Sequence, residues 1–233
     1  MTRTKIELLS TRPLNKSLIA EAATVGIAID EQSFIETEPI LDITTQQEIE
    51  QAYLQSSTVV FTSMNAVDAV LAWQDAQQPD WVIYCMGNTT KQLLQQSFGK
   101  QCVAGTAKNA TELAELIASE SDADEVIFFC GEQRRDELPL MLRKKGIDVH
   151  EILVYETIHT PHKINKNYQG ILFYSPSAVS SFFSNNFIPA ETILFAIGTT
   201  TAKTIQHFCS NSIIIGEAPG KEELVRQAME FFS

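Results

Sequence analysis

The sequence predicts an α/β protein made of two similar doubly wound parallel-sheet domains. Three observations carry this. Short, continuous runs of β-branched or aromatic residues alternate with helical stripes along the chain. The series is written twice, most visibly where "FTSMNAV" at residues 61–67 returns as "FYSPSAV" at residues 173–179. And 233 residues comfortably hold two domains of about 100–120 residues each.

The repeat extends outward from that pair. "CMGNTT" from Cys85 matches "AIGTTT" from Ala196, and "AGTAKNATELAELI" matches "IGEAPGKEELVRQA", so that Gly87 faces Gly198 and Gly105 faces Gly216, each 111 positions on (198 − 87, 216 − 105). "LLSTRPLNKSLIAEAATVGIAIDEQSFIET" matches "FFCGEQRRDELPLMLRKKGIDVHEILVYET", with Gly26 against Gly146, 120 positions on (146 − 26).

In chain order the strands are expected at residues 6–9, 59–61, 81–85, 101–104, 126–130, 171–173, 193–197 and 212–215. Each is a continuous apolar run, as befits a strand covered on both faces. Stripes such as Ala66, Val67, Val70 and Leu71, or Leu224, Val225, Ala228 and Met229, mark the helices between them. Alternating βα units imply parallel pairing through right-handed crossovers. "RRDELP" reads as a helix start with Asp136 as cap and Pro139 in the first turn, and "RKKG" ending at Gly146 as a helix C-terminus.

After the first element of each copy the chain stays extended, in "SFIETEPI" and "ILVYETIHT", with Pro39 and Pro161 stopping any continuation. Two extended stretches at equivalent places read as connections between domains. A duplication permits consecutive domains split near residue 120, or an exchanged layout in which each first element joins the other copy's remainder; composition does not choose.

Composition narrows the function. A net charge of −12 argues against nucleic acid or an anionic membrane as partner. Bases do cluster locally: Arg3, Lys5, Arg12 and Lys16 against Glu7 in residues 1–20, and five bases against three acids in residues 131–145. A small anionic ligand is compatible with that. The early apolar run at residues 6–9 is too short for a signal segment and no apolar stretch approaches 18 residues, so a cytoplasmic, non-membrane protein is expected. Cys85, Cys102, Cys130 and Cys209 form no CxxC and read as reduced thiols. The only histidine pair, in "HTPH", lacks partners at ligand spacing, so neither a metal nor another cofactor is expected.

Taken in order, "FTSMNAV", "GNTTKQLL", "GEQRRDELPLMLRKKG", "VYET", "FYSPSAV" and "AIGTTTAKTI" resemble the uroporphyrinogen-III synthase family over nearly the whole chain. The resemblance implies the exchanged layout. One lobe would be residues 1–35 with 160–233, the other 41–151, and 36–40 and 152–159 would be linkers paired as a two-stranded antiparallel ladder beside a cleft. It also implies the activity: hydroxymethylbilane is cyclised with loss of water and inversion of its fourth ring, in tetrapyrrole biosynthesis, by a monomeric lyase without cofactor.

Candidate site residues follow from both readings. Ligands of doubly wound sheets bind beyond the carboxyl ends of the strands. Thr62 and Ser63, Asn88, Thr89 and Thr90, Ser175 and Ser177, and Thr199, Thr200 and Thr201 all fall there, with hydroxyls and helix-start N–H groups suited to carboxylates. The same threonines are also good helix caps. Arg12, Arg134 and Arg135 are the cationic candidates, Arg135 being preferred by the resemblance, which likewise favours Thr90 and Thr200 and implies Tyr155 in "VYET" as the proton donor to the departing hydroxyl. The alternative is a non-catalytic two-lobed binding protein for a small anionic ligand. A dinucleotide enzyme ranks lower, because no GxGxxG occurs.

Overall fold

A computed structural model describes residues 6–74, 78–218 and 220–233; Arg3 and Lys5 lie outside them. The chain divides into two compact units, Met1–Glu36 with Ile158–Ser233, and Thr37–Thr157. These are called unit 1 and unit 2.

Unit 1 is built on β1 (Ile6–Ser10), α1 (Lys16–Thr24) and β2 (Ile27–Glu31), then β9 (Gly170–Phe173), α7 (Pro176–Phe183), β10 (Ile193–Ala196), α8 (Thr199–Gln206), β11 (Ile213–Ile215) and α9 (Lys221–Phe232). Its parallel sheet runs β11-β10-β9-β1-β2. α1 and α9 cover one face through Leu18, Ala22, Leu224 and Val225. α7 and α8 cover the other through Val179, Phe182, Ala202 and Ile205. Both faces are covered by helices, which is why the strands read as unbroken apolar runs.

Unit 2 holds α2 (Ile43–Tyr53), β4 (Ser57–Phe61), α3 (Met64–Leu71), β5 (Trp81–Met86), α4 (Asn88–Phe98), β6 (Val103–Ala107), α5 (Ala110–Glu120), β7 (Glu125–Gly131) and α6 (Glu137–Lys144). Its parallel strands run β8-β7-β4-β5-β6, where β8 is Asp148–His159, and β3 (Ile35–Pro39) adds outside β8. β3 and β8 run in opposite directions, since the Ile40 N–H donates to Val154 and the Thr160 N–H donates to Phe34. α2, α3 and α4 pack on one face and α5 and α6 on the other.

The two parallel cores share one strand order under the sequence repeat: β7-α6-β8 occupies in unit 2 the place of β1-α1-β2 in unit 1, and α2 is an addition of unit 2. In each, strand order reverses between the strand that opens this element and its neighbour, at β1/β9 and at β7/β4. A reversal of this kind splays the following turns apart and leaves a crevice.

One strand boundary and one helix cap differ from expectation. β6 runs from Val103 to Ala107 rather than over residues 101–104, and so passes straight through Gly105. That glycine marks a close approach instead of a turn: a Cβ there would stand 2.6 Å from Cδ2 of Leu116 and 2.9 Å from Cδ1 of Tyr84. Asp136 precedes α6, but its carboxylate takes the Arg134 guanidinium at 2.8 Å and does not cap the helix. At the other end of α6, Gly146 has φ +83°, the left-handed conformation of a glycine C-terminus. Among the described residues no helix is long and apolar enough to cross a membrane.

Candidate active site

At the β4/β7 reversal of unit 2 a cavity of about 380 Å3 opens, lined by Thr62, Lys108, Gly131, Arg134, Arg135 and Tyr155 among others. Each group arrives from a strand end. Thr62 follows β4, Lys108 follows β6, Gly131 closes β7, and the two arginines stand in the turn before α6. Tyr155 comes from the middle of β8 through a bulge: Cys130 pairs with Leu153 but Gly131 pairs with Tyr155, leaving Val154 unmatched. The extra residue swings the half-buried Tyr155 ring across the end of β7.

Gly131 makes room for that ring. A Cβ on it would lie 2.5 Å from Cε2 and 2.8 Å from the hydroxyl oxygen of Tyr155, with Cζ inside clash distance as well. Its φ is not positive, so the glycine serves the neighbour and not its own backbone.

Ser63 fixes the phenol from the other side. As N-cap of α3, its Oγ accepts the Ala66 N–H at 3.2 Å and donates its own proton to the Tyr155 oxygen at 3.2 Å. Because Tyr155 accepts from Ser63, its own O–H proton is left to donate elsewhere.

The two arginines differ. Arg134 is held by Glu151 and by Asp136, and its hydrogen bond with Glu151 keeps it more firmly protonated than usual. Burial alone would raise the Glu151 carboxyl, but hydrogen bonds from Arg134 and Arg143 outweigh that and hold it below the usual range. Arg135 is exposed, and among the described residues its guanidinium has no hydrogen-bond or ion-pair partner. Nearby Cys130 is a poor nucleophile, since burial pushes its thiol up to about 12. Among the described residues no group of three or more His, Cys, Asp and Glu is placed to hold a metal ion.

The threonine turns are built differently from the expected caps. The N-caps of α4 and α8 are Gly87 and Gly198, and neither helix start has a side-chain cap. Asn88 and Thr89 on α4, and Thr199 and Thr200 on α8, are exposed beside those free N–H groups. Thr90 and Thr201, one position further, are only 3% exposed and face the packing. Ser177 is likewise buried, whereas Ser175 caps α7 by accepting the Ala178 N–H at 3.2 Å.

The structure therefore gathers Thr62, Arg135 and Tyr155 around one cavity, with Ser63 against the tyrosine. Asn88, Thr89 and Thr90 do not line it. Arg12, Ser175, Ser177 and Thr199–Thr201 belong to unit 1, where Arg12 is exposed just past β1. Lys108 and Gly131 are lining residues that sequence reasoning missed. The signal for Lys108 lay in the repeat, where a cation at a strand end faces Pro219, a residue outside those described.

A larger cavity of about 720 Å3, beside β2 in unit 1, is lined by residues such as Ile6, Val25, Ile27 and Phe232. Among the described residues it presents no ionisable side chain to a polar ligand.

Comparison with known proteins places these features in a lineage. The sequence model of the uroporphyrinogen-III synthase HemD family matches residues 16–226. Uroporphyrinogen-III synthase of Saccharomyces cerevisiae is 25% identical over an alignment 176 positions long that covers 64% of this chain and 64% of the yeast protein. The chain thus spans less than two thirds of the length of that curated relative. Two crystal structures share the fold. Uroporphyrinogen-III synthetase from Helicobacter pylori is similar with TM-score 0.67 and 18% identity over 97% of this chain and 99% of that one. A mutant uroporphyrinogen III synthase from Thermus thermophilus is similar with TM-score 0.60 and 12% identity over 97% of each. With a family match across nearly the full length, on a scaffold of duplicated doubly wound units, the chain belongs to the uroporphyrinogen-III synthase family.

Proposed function

We propose that the protein converts hydroxymethylbilane to uroporphyrinogen III with release of one water. The family match over residues 16–226 carries this reading. The cavity supports it chemically, because a phenol with a proton to give stands among cations suited to a substrate rich in acetate and propionate carboxylates.

In this reading Tyr155 protonates the departing hydroxyl of the linear tetrapyrrole. Water leaves and an azafulvene cation remains. The substituted carbon of the fourth ring attacks it, the resulting spiro intermediate fragments, and the ring recloses inverted, with loss of a proton restoring the pyrrole. Unaided closure gives the uninverted isomer, so the main task is to hold the fourth ring turned toward the cation.

Ser63 orients Tyr155, and Thr62 and Arg135 meet substrate carboxylates. Asn88 and Thr89, and in unit 1 Arg12, Ser175, Thr199 and Thr200, are further proposed contacts on the strength of their position at strand ends. Thr90, Ser177 and Thr201 support those turns from the packed side. The protein is proposed to work as a cytoplasmic monomer, a state that light scattering on the purified chain would test.

The deciding experiment supplies freshly generated hydroxymethylbilane, oxidises the products and resolves type III from type I uroporphyrin. Predominantly type III is expected. Type I alone, formed at the rate without protein, would refute the activity and favour a non-catalytic binder.

A further inference from the structure

We propose that Lys108 and Arg135 form a carboxylate-binding subsite, and that through it unit 2 anchors the substrate. The assignment of the substrate rests on the function proposed above; the subsite itself rests on the geometry of unit 2.

Lys108 is exposed immediately after β6, and an exposed lysine is ordinarily solvated surface. Its surroundings are not ordinary. The Lys108 N–H donates to Oε2 of Glu112 at 3.1 Å, while Oε1 of Glu112 takes the Asn109 amide at 2.9 Å. Asn109 in turn caps α5 by accepting the Glu112 N–H at 2.9 Å. The backbone of the turn is thus stapled, and both oxygens of the Glu112 carboxylate are engaged. Among the described residues the Lys108 ammonium has no hydrogen-bond or ion-pair partner. Glu137, the one acid among the described residues lining the cavity, accepts the Thr111 hydroxyl at 3.2 Å. With Arg134 neutralised by Glu151 and Asp136, the described lining of the cavity keeps two uncommitted cations, Lys108 and Arg135.

The duplication supplies an internal control. By the offsets of the repeat, Lys108 corresponds to Pro219, Arg135 to Asn15, Thr62 to Tyr174 and Tyr155 to Ile35. In unit 1 the Asn15 amide donates to Glu222 at 3.3 Å, and Tyr174 is buried against Ser10, whose hydroxyl reaches its oxygen at 3.3 Å. The scaffold common to both units therefore folds without these cations. Their presence in one copy alone calls for a reason other than packing, and a polyanionic ligand provides it.

The test measures binding of uroporphyrin III, the oxidised form of the expected product with all eight carboxylates, to the full chain by fluorescence quenching. Lys108→Ala should weaken binding about tenfold, the loss of one charge-assisted hydrogen bond. Lys108→Arg should restore it to within about twofold of wild type, because the charge returns. Lys144→Ala, which removes an exposed cation away from the cavity, should leave it unchanged. With hydroxymethylbilane, Lys108→Ala should raise KM more than it lowers kcat.

Wild-type affinity in Lys108→Ala, or no binding by the wild type, overturns the subsite. If the wild type makes type III product while Lys108→Ala binds normally, the subsite fails and the synthase reading stands. If the wild type binds through Lys108 but makes no type III product, the subsite stands and the synthase reading fails.

Discussion

Replacing Gly131 by alanine adds one methyl group at the end of β7, directly under the Tyr155 ring. The new Cβ would lie 2.5 Å from Cε2 of the ring, whereas carbon atoms pack at about 3.5 Å or more, so the ring must retreat by roughly 1 Å. That movement breaks the 3.2 Å contact with Ser63 and carries the phenol off its line of donation. A 1 Å misplacement of a reacting group costs about 10²-fold in rate, or about 2.7 kcal/mol of barrier. Overpacking should also lower stability by about 1–3 kcal/mol, read from chemical denaturation. The assay is uroporphyrinogen III formation from hydroxymethylbilane, with the type III to type I ratio recorded alongside. A second variant, Gly131→Ala with Tyr155→Ala, removes the clash: it should regain stability relative to Gly131→Ala without regaining rate. Wild-type rate and isomer ratio in Gly131→Ala would refute the placement of Tyr155 as a positioned donor.

Other outcomes follow from the same geometry. Tyr155→Phe keeps the ring and removes the proton, and should slow type III formation about 10²-fold, the low end for general-acid catalysis; unchanged turnover and isomer ratio would exclude that role. Ser63→Ala removes the α3 cap, and should cost about 1 kcal/mol in a denaturation experiment together with a fall in kcat from the unanchored phenol. Glu151→Gln should destabilise by about 1–2 kcal/mol at neutral pH, less than a fully buried pair because Arg143 is half-exposed. Its pH dependence has a definite sign. The folded carboxyl titrates below its ordinary value of 4.5, so the stabilisation it gives is complete above pH 4.5 and is lost as pH falls through the lower folded value. The stability gap between wild type and Glu151→Gln should close over that acid range, and a gap independent of pH would show that the ion pair is not its source.

The parts of this fold that were legible in the sequence are those whose cause is local. Runs such as residues 126–130 announce a strand because both faces are covered, and Gly146 announces a helix end because its own φ requires glycine. Gly131 and Gly105 look no different in the sequence, yet each is fixed by a side chain elsewhere: Tyr155, 24 positions on (155 − 131), and Leu116. The threonine turns misled for a related reason. Gly-x-Thr-Thr fits a cap by residue type, but Gly87 and Gly198 occupy the cap position and the threonines begin two positions and one position past it, inside the first turn. Lys108 was hidden because its neighbours in the cavity come from β4, β7 and β8, so no window of sequence contains them together. Which elements share a sheet was equally nonlocal. Either connection of the repeats offers the same βα units, and only strand pairing distinguishes them.

That pairing sets an order for folding during synthesis. Every strand of the unit 2 sheet from β4 through β7 finds its neighbours within the contiguous stretch Thr37–Thr157, so unit 2 has its partners once that stretch has emerged. β1 does not. It pairs with β2 at once, but its central neighbour is β9, with Leu8 opposite Gly170, 162 positions later (170 − 8). At a synthesis rate of about 5–20 residues per second, the apolar flank of β1 waits roughly 8–32 s for the strand that covers it. During that interval Leu8 and Leu9, both buried in the finished protein, are exposed on an open strand edge. The nascent β1-α1-β2 element therefore keeps an unpaired apolar edge until residues 170–173 have emerged.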